Sequence, residues 1–129
     1  MSTVYRFEDL EAWKSAREFA KTIYSITSND CFKHDYRFCA QIRAAAGSVM
    51  DNIAEGFERD GKKEFIQFLY IAKASCGECR SQLYRALDVG YIDKDVFENC
   101  HRQTESISKL IVNFIRYLKE SEFKGTKYK

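Results

Sequence analysis

At 129 residues the chain has the size of one compact domain, long enough to bury a core without a disulfide or a structural metal. A net charge of +2 excludes a protein that wraps nucleic acid by bulk charge, though not one with a local basic patch. No run of about eighteen apolar residues exists to cross a membrane, and the N-terminal Glu8, Asp9 and Glu11 do not follow the basic-then-apolar plan of a secretory signal, so a cytoplasmic protein is expected.

There is no proline, and 15% of residues are aromatic. Proline removes a helical donor and clashes with the preceding turn, so its absence favours long unbroken helices. Four amphipathic segments follow in chain order. Leu10, Trp13, Ala16, Phe19, Ala20, Ile23 and Tyr24 recur at steps of three and four, which predicts a helix over 9–28 that fades at Ser28-Asn29-Asp30. Phe38, Ile42, Ala45, Val49 and Ile53 predict a second over 35–57, closed by Gly56 and the Asp60-Gly61 turn. A third, over 61–89, carries Phe65, Phe68, Leu69, Ala72, Cys76, Cys79, Leu83 and Leu87, with Gly90 placed as the glycine after its C-cap. Asp93 is a good N-cap for the fourth, over 94–120, with Val96, Cys100, Ile107, Leu110, Ile111, Phe114 and Leu118 inward. Residues 121–129 are expected as a short mobile tail; its Lys124, Lys127, Tyr128 and Lys129 read either as a weak phosphate-gathering end or as a solvated terminus.

Four helices with short connections predict an all-α, antiparallel up-down four-helix bundle occupying residues 1–129 as one domain. Five cysteines cannot all pair within one chain. Cys31, Cys39, Cys76, Cys79 and Cys100 fall mostly among apolar neighbours and are expected as reduced core thiols.

The run Gln41-Ile42-Arg43-Ala44-Ala45, then Ser48, then Asn52-Ile53-Ala54-Glu55-Gly56-Phe57, resembles the signature of the four-helix-bundle family of 23S rRNA intervening-sequence proteins. Glu64-Phe65, Phe68-Leu69, Ile71-Ala72, Ser75, Glu78 and Gln82-Leu83 resemble its second block, and Phe7, Asp9-Leu10, Trp13 and Ala16 its start. The chain departs from that family in having Lys33 and Met50 near two places where proline is usual, and loss of the second should straighten the second helix. The resemblance implies a homopentamer of bundles, an RNA-associated role, and Asn52, Glu55, Gly56, Ser75 and Glu78 as signature residues of structural importance. A related branch looks like the accessory variability determinant of diversity-generating retroelements, which binds nucleic acid and works with a reverse transcriptase.

Two surfaces bear on function. Ala40, Ala44, Gly47, Asp51 and Ala54 form a stripe roughly opposite the core face of the second helix. Either small residues let another subunit approach closely there, or they are simply good helix formers; a mid-helix glycine, costing about 1 kcal/mol, favours the former. On the third helix, Lys62, Lys73 and Arg80 lie within about 20° of one line, beside Ile66, Tyr70, Gly77 and Tyr84. Cations beside exposed rings suit nucleic acid, with charge for phosphates and ring faces for stacking, and Arg43, Arg59 and Lys63 would extend the patch. Alternatively the cationic stems flank the core, while Ile66, Tyr70 and Gly77 pack between subunits.

No catalytic constellation emerges. Glu98-x-x-His101 is one half of a di-iron ligand pattern, and the other histidine, His34, has no glutamate three residues before it. Cys76-x-x-Cys79 lies within a helix with no second pair to complete a zinc site. Cys100 and His101 are adjacent, so they point about 100° apart and cannot share the hydrogen bond of a nucleophile and base. Asn52 and Glu55 can meet on one helix face but have no second carboxylate to work with. The expected function is a non-enzymatic, cofactor-free, homo-oligomeric nucleic-acid-binding accessory protein. The alternative is a protein-interaction scaffold, with the reverse transcriptase of a diversity-generating retroelement as the candidate partner.

Overall fold

The computed structural model describes residues 4–121, and the basic C-terminal end read from the sequence lies beyond them at 122–129. Four helices follow one another: α1 (Glu11–Thr27), α2 (Tyr36–Glu58), α3 (Lys62–Asp88) and α4 (Lys94–Glu120). The first begins at Glu11 because Phe7–Asp9 form a separate 3-10 turn and Leu10 stays extended. Each helix packs on its two neighbours, and α1 closes the ring against α4, so the described residues form a four-helix bundle.

The ends of the elements follow local chemistry. Asp35 caps α2 by accepting from the Phe38 amide at 3.1 Å, and Asp93 caps α4 by accepting from the Val96 amide at 2.8 Å. α3 ends at Gly90, whose φ of 80° is in the left-handed region. There the Gly90 amide donates to Leu87 O and the Tyr91 amide to Ala86 O, satisfying carbonyls the last turn leaves open. The second helix runs unbroken from Tyr36 to Glu58, with Met50 inside it.

Phe19, Ile23, Ile42, Ile53, Phe57, Phe65, Leu69, Leu83, Ile107, Ile111 and Leu118 are fully buried along the bundle axis. At one end the two outer connections are tied together. The rings of Phe32, Phe38 and Tyr91 form a three-way cluster, Phe32 lying 5.0 Å from each of the others, and the Tyr91 hydroxyl donates to Asp35 Oδ2 at 2.9 Å. Gly56 allows α2 to approach α3 closely: a Cβ there would lie 2.6 Å from Phe68 Cβ. Four cysteines are buried, and Cys31 is exposed in the α1–α2 connection.

Candidate nucleic-acid interface

The basic line of α3 lies along its edge with α4. Three contacts set the register of the two antiparallel helices. Tyr84 Oη stands 3.5 Å from His101 Nε2, Cys76 Sγ donates to Thr104 O at 3.3 Å, and Lys119 Nζ donates to Tyr70 Oη at 2.9 Å. Between these fixed points an open groove of about 780 Å³ is lined by Arg80 from α3 and by Glu105, Ser108, Lys109, Asn113 and Arg116 from α4. Lys73 does not line the groove itself; it falls on the α3 line between Lys62, which reaches Ser121 beyond the end of α4, and Arg80.

This groove is cationic. Its one lining carboxylate, Glu105, has His101 Nδ1 at 3.3 Å. Among the described residues, no carboxylate lies within ion-pair distance of Lys73, Arg80, Lys109 or Arg116. Arg116 is steadied by a 3.3 Å hydrogen bond to Asn113 Oδ1. Rings stand at both ends: Tyr84, about half exposed, packs on Phe97 with centroids 4.8 Å apart, and Tyr70, equally exposed, has Lys119 Nζ 5.4 Å from its ring centre.

Of the seven residues expected at a nucleic-acid surface, Arg80 lines the groove, Tyr84 stands at its end against His101 and Phe97, and Lys73 lies on the same line of α3. Arg43 is held on α1, donating to Thr27 Oγ1 at 2.8 Å and lying 4.7 Å over the Tyr24 ring. Arg59 is shared between Glu55 and Glu64, at 3.1 and 3.6 Å, and covers Phe68. Lys62 donates to Ser121 O just past the end of α4, and Lys63 is exposed at the start of α3. Of the residues expected between subunits, Tyr70 accepts a hydrogen bond from Lys119 of α4, Gly77 is half-buried, and Ile66 packs against the core.

The signature residues meet elsewhere, on the side of the bundle formed by α2 and α3. Ser48 Oγ and Ser75 Oγ are 2.9 Å apart, and Asn52 Nδ2 donates to both Ser48 O and Ser48 Oγ, at 2.8 and 2.9 Å. Gln82 Nε2 donates to Glu78 at 3.3 Å, while its buried Oε1 has no partner among the described residues. Ala40, Ala44 and Asp51 are exposed, with Gly47 and Ala54 half-buried. A Cβ added at Gly47 would meet nothing within 4 Å.

The family model described as 23S rRNA-intervening sequence protein matches residues 8–113. The chain belongs to that family. A solved structure from Bacteroides thetaiotaomicron, described as a protein with unknown function from the S23 ribosomal protein family, shares the fold with a TM-score of 0.75. It is 24% identical, and the match covers 81% of this chain and 98% of that one. Among curated proteins none matches the sequence.

Within the span matched by the 23S rRNA-intervening sequence family lie all the signature residues and the groove as far as Asn113; Arg116 and Lys119 lie beyond it. Lys109, Arg116 and Lys119 were missed in the sequence reading. The signal was available, because Lys109 and Arg116 are seven apart and therefore within about 20° of one line on α4. The buried cysteines take no part in this surface. Burial pushes the thiols of Cys76, Cys79 and Cys100 up to about 11, 12 and 11, so they stay protonated at neutral pH. For Cys76 the fields of Arg80 and Lys73 pull the other way and lose. Among the described residues no three His, Cys, Asp or Glu side chains cluster as a metal site would require.

Proposed function

We propose that this chain is a non-catalytic, homo-oligomeric nucleic-acid-binding accessory protein, RNA-associated, with the α3–α4 groove as its binding surface. The observation that carries the reading is the groove lined by Arg80, Lys109 and Arg116, with Lys73 on the same line of α3, none of them ion-paired to a described carboxylate, between two half-exposed tyrosines. Arg37, Lys63 and Arg102 also carry no ion pair among the described residues, so it is the alignment of these four along one helix–helix edge, rather than their lack of partners, that forms the footprint a phosphate chain requires. The family description, which refers to 23S rRNA intervening sequences, supports RNA as the partner.

Self-association is assigned to the outer face of α2, through Ala40, Ala44, Gly47, Asp51 and Ala54. In its support, no described residue crowds position 47 so as to require a glycine there. Five subunits is the number the family resemblance implies. That same uncovered face favours the second reading, a scaffold docking a protein such as a reverse transcriptase.

Fluorescence anisotropy with a structured RNA at several salt concentrations, alongside light scattering, tests these readings. Lys73→Glu with Arg80→Glu should abolish binding at low salt and leave the particle mass unchanged. Undiminished RNA binding by that variant refutes the groove. A monomeric wild type refutes self-association. Capture of a protein partner with no RNA affinity would favour the scaffold.

A further inference from the structure

Tyr70, Gly77 and Tyr84 follow one another at intervals of seven residues. On a helix of 3.6 residues per turn and 1.5 Å rise, that spacing keeps three positions on nearly one line, each about 10.5 Å from the next. α3 therefore presents to the groove a ring, a gap and a second ring over about 21 Å. Both rings are available, Tyr70 being 47% and Tyr84 49% exposed. Both are also held from the side: Tyr84 by Phe97 and His101, and Tyr70 by the hydrogen bond from Lys119. Fixed aromatic side chains lose little further freedom when a ligand stacks on them.

The gap is open space. A Cβ built at Gly77 meets nothing within 4 Å, so no neighbouring side chain dictates a glycine there. With no side chain at that position, the α3 backbone is exposed between the two rings, as the low point of a saddle. Lys73 and Arg80 stand four residues before and three after it on α3, and Arg80, Lys109 and Arg116 line the adjoining groove with α4.

We infer that this saddle takes an unpaired stretch of nucleic-acid chain, its backbone crossing Gly77 alongside the cationic groove and a base stacking on each of Tyr70 and Tyr84. A stacked strand advances about 3.4 Å per nucleotide, so about six nucleotides fill the span, and fewer when the bases are splayed. A duplex gains only the phosphate contacts, because its base faces are already covered by neighbouring pairs, whereas unpaired bases present a free π-face. This inference rests on the nucleic-acid reading of the groove and adds the form of the ligand.

The test compares a labelled single-stranded octaadenylate RNA with a blunt 16-base-pair RNA duplex at one ionic strength. Wild type should bind the single strand more tightly per site, with upfield shifts of the Tyr70 and Tyr84 ring protons on titration. Tyr70→Leu should lose about tenfold or more in affinity for the single strand, the loss typical of one stacked base. It should leave duplex affinity and the salt slope unchanged, and Tyr70→Phe, which keeps the stacking face and loses only the hydrogen bond from Lys119, should recover most of the lost binding. Because Tyr84 packs on Phe97, the wild-type ring shifts carry the evidence at that end if Tyr84→Leu fails to fold. Gly77→Leu should weaken single-strand binding without lowering the melting temperature. Equal binding of strand and duplex, with both indifferent to the tyrosines, overturns this inference and leaves the basic groove standing. If Lys73→Glu with Arg80→Glu also changes neither, the nucleic-acid reading falls, and this inference with it.

Discussion

Removing charge from the groove without reversing it gives a quantitative prediction. Each phosphate neutralised on a single strand contributes about 0.7 to the slope of log affinity against log salt. Four cations, Lys73, Arg80, Lys109 and Arg116, therefore set a slope of about −3, so that raising salt from about 50 to 200 mM weakens wild-type binding about 50-fold. The double variant Arg80→Gln with Lys109→Gln keeps half of them. Its slope should fall to about −1.4, and the same salt step should cost only about sevenfold. Neither residue has an ion-pair partner among the described residues to orphan, so the fold should be unaffected. Lys63→Gln is the control, an exposed cation that does not line the groove, and it should leave the slope as it was. Anisotropy titrations of a single-stranded RNA at five salt concentrations measure all three. A double-variant slope equal to that of wild type, or an equal drop in the Lys63 variant, would refute the idea that these four side chains hold the phosphates.

Four further outcomes are expected. Gly56→Ala should destabilise by about 1–3 kcal/mol, because the new methyl would sit 2.6 Å from Phe68 Cβ, and thermal melting should show it; an unchanged melt means the helices are not so close. Asp35→Ala removes both the α2 cap and the acceptor for Tyr91, at a cost of about 1–2 kcal/mol in urea unfolding, whereas Asp35→Asn should keep most of the cap. Gly47→Leu should drive the assembly toward monomer in light scattering without loss of helicity, and an unchanged mass would remove α2 from the contact. Stability should also fall at alkaline pH. With native thiols raised to about 11 or 12, the unfolded chain releases its thiol protons above about pH 9 while the native chain keeps them. The stabilisation is therefore complete below pH 9 and lost as pH climbs toward 11, by about 1.4 kcal/mol per pH unit for each of Cys76, Cys79 and Cys100; Cys79→Ala should remove about a third of their slope, and a slope that does not change would place these thiols in solvent.

Much of this was legible in the sequence, and what was not has identifiable physical causes. The four helices and most of their inward residues follow from periodicity, because each helix buries one stripe and shows the rest to solvent. Asp93 and Gly90 announced their roles because capping chemistry is local to a few residues. The 3-10 turn at Phe7–Asp9 did not, since Glu8 and Asp9 suit the first turn of a helix equally well. The groove was half legible. Lys73, Arg80 and Tyr84 stood out on the wheel of α3, but their companions lie on α4, and only packing determines which edge of one helix faces which edge of the next. Sequence likewise does not say whether a cation is already engaged. Arg43 and Arg59 look as available as Arg80 until Thr27 and the Glu55–Glu64 pair are brought beside them. Cys31 read as a core thiol with the other four and is exposed, because it sits in a connection where helical periodicity carries no information.

Three glycines inside helices separate what the fold requires from what lies outside it. Each costs about 1 kcal/mol against alanine in a helix interior. For Gly56 the chain supplies the reason in the side chain of Phe68. Gly47 and Gly77 find none, since a Cβ at either would meet open space. They stand on different surfaces, one on the outer face of α2 and one in the saddle of α3. Replacing either with alanine should therefore raise the stability of the isolated chain by up to about 1 kcal/mol. Bulkier residues should then damage different properties: assembly at position 47 and single-strand binding at position 77. Should Gly47→Leu weaken RNA binding as strongly as Gly77→Leu while both remain assembled, the two surfaces would have to be one, and the division of labour between α2 and α3 would be wrong.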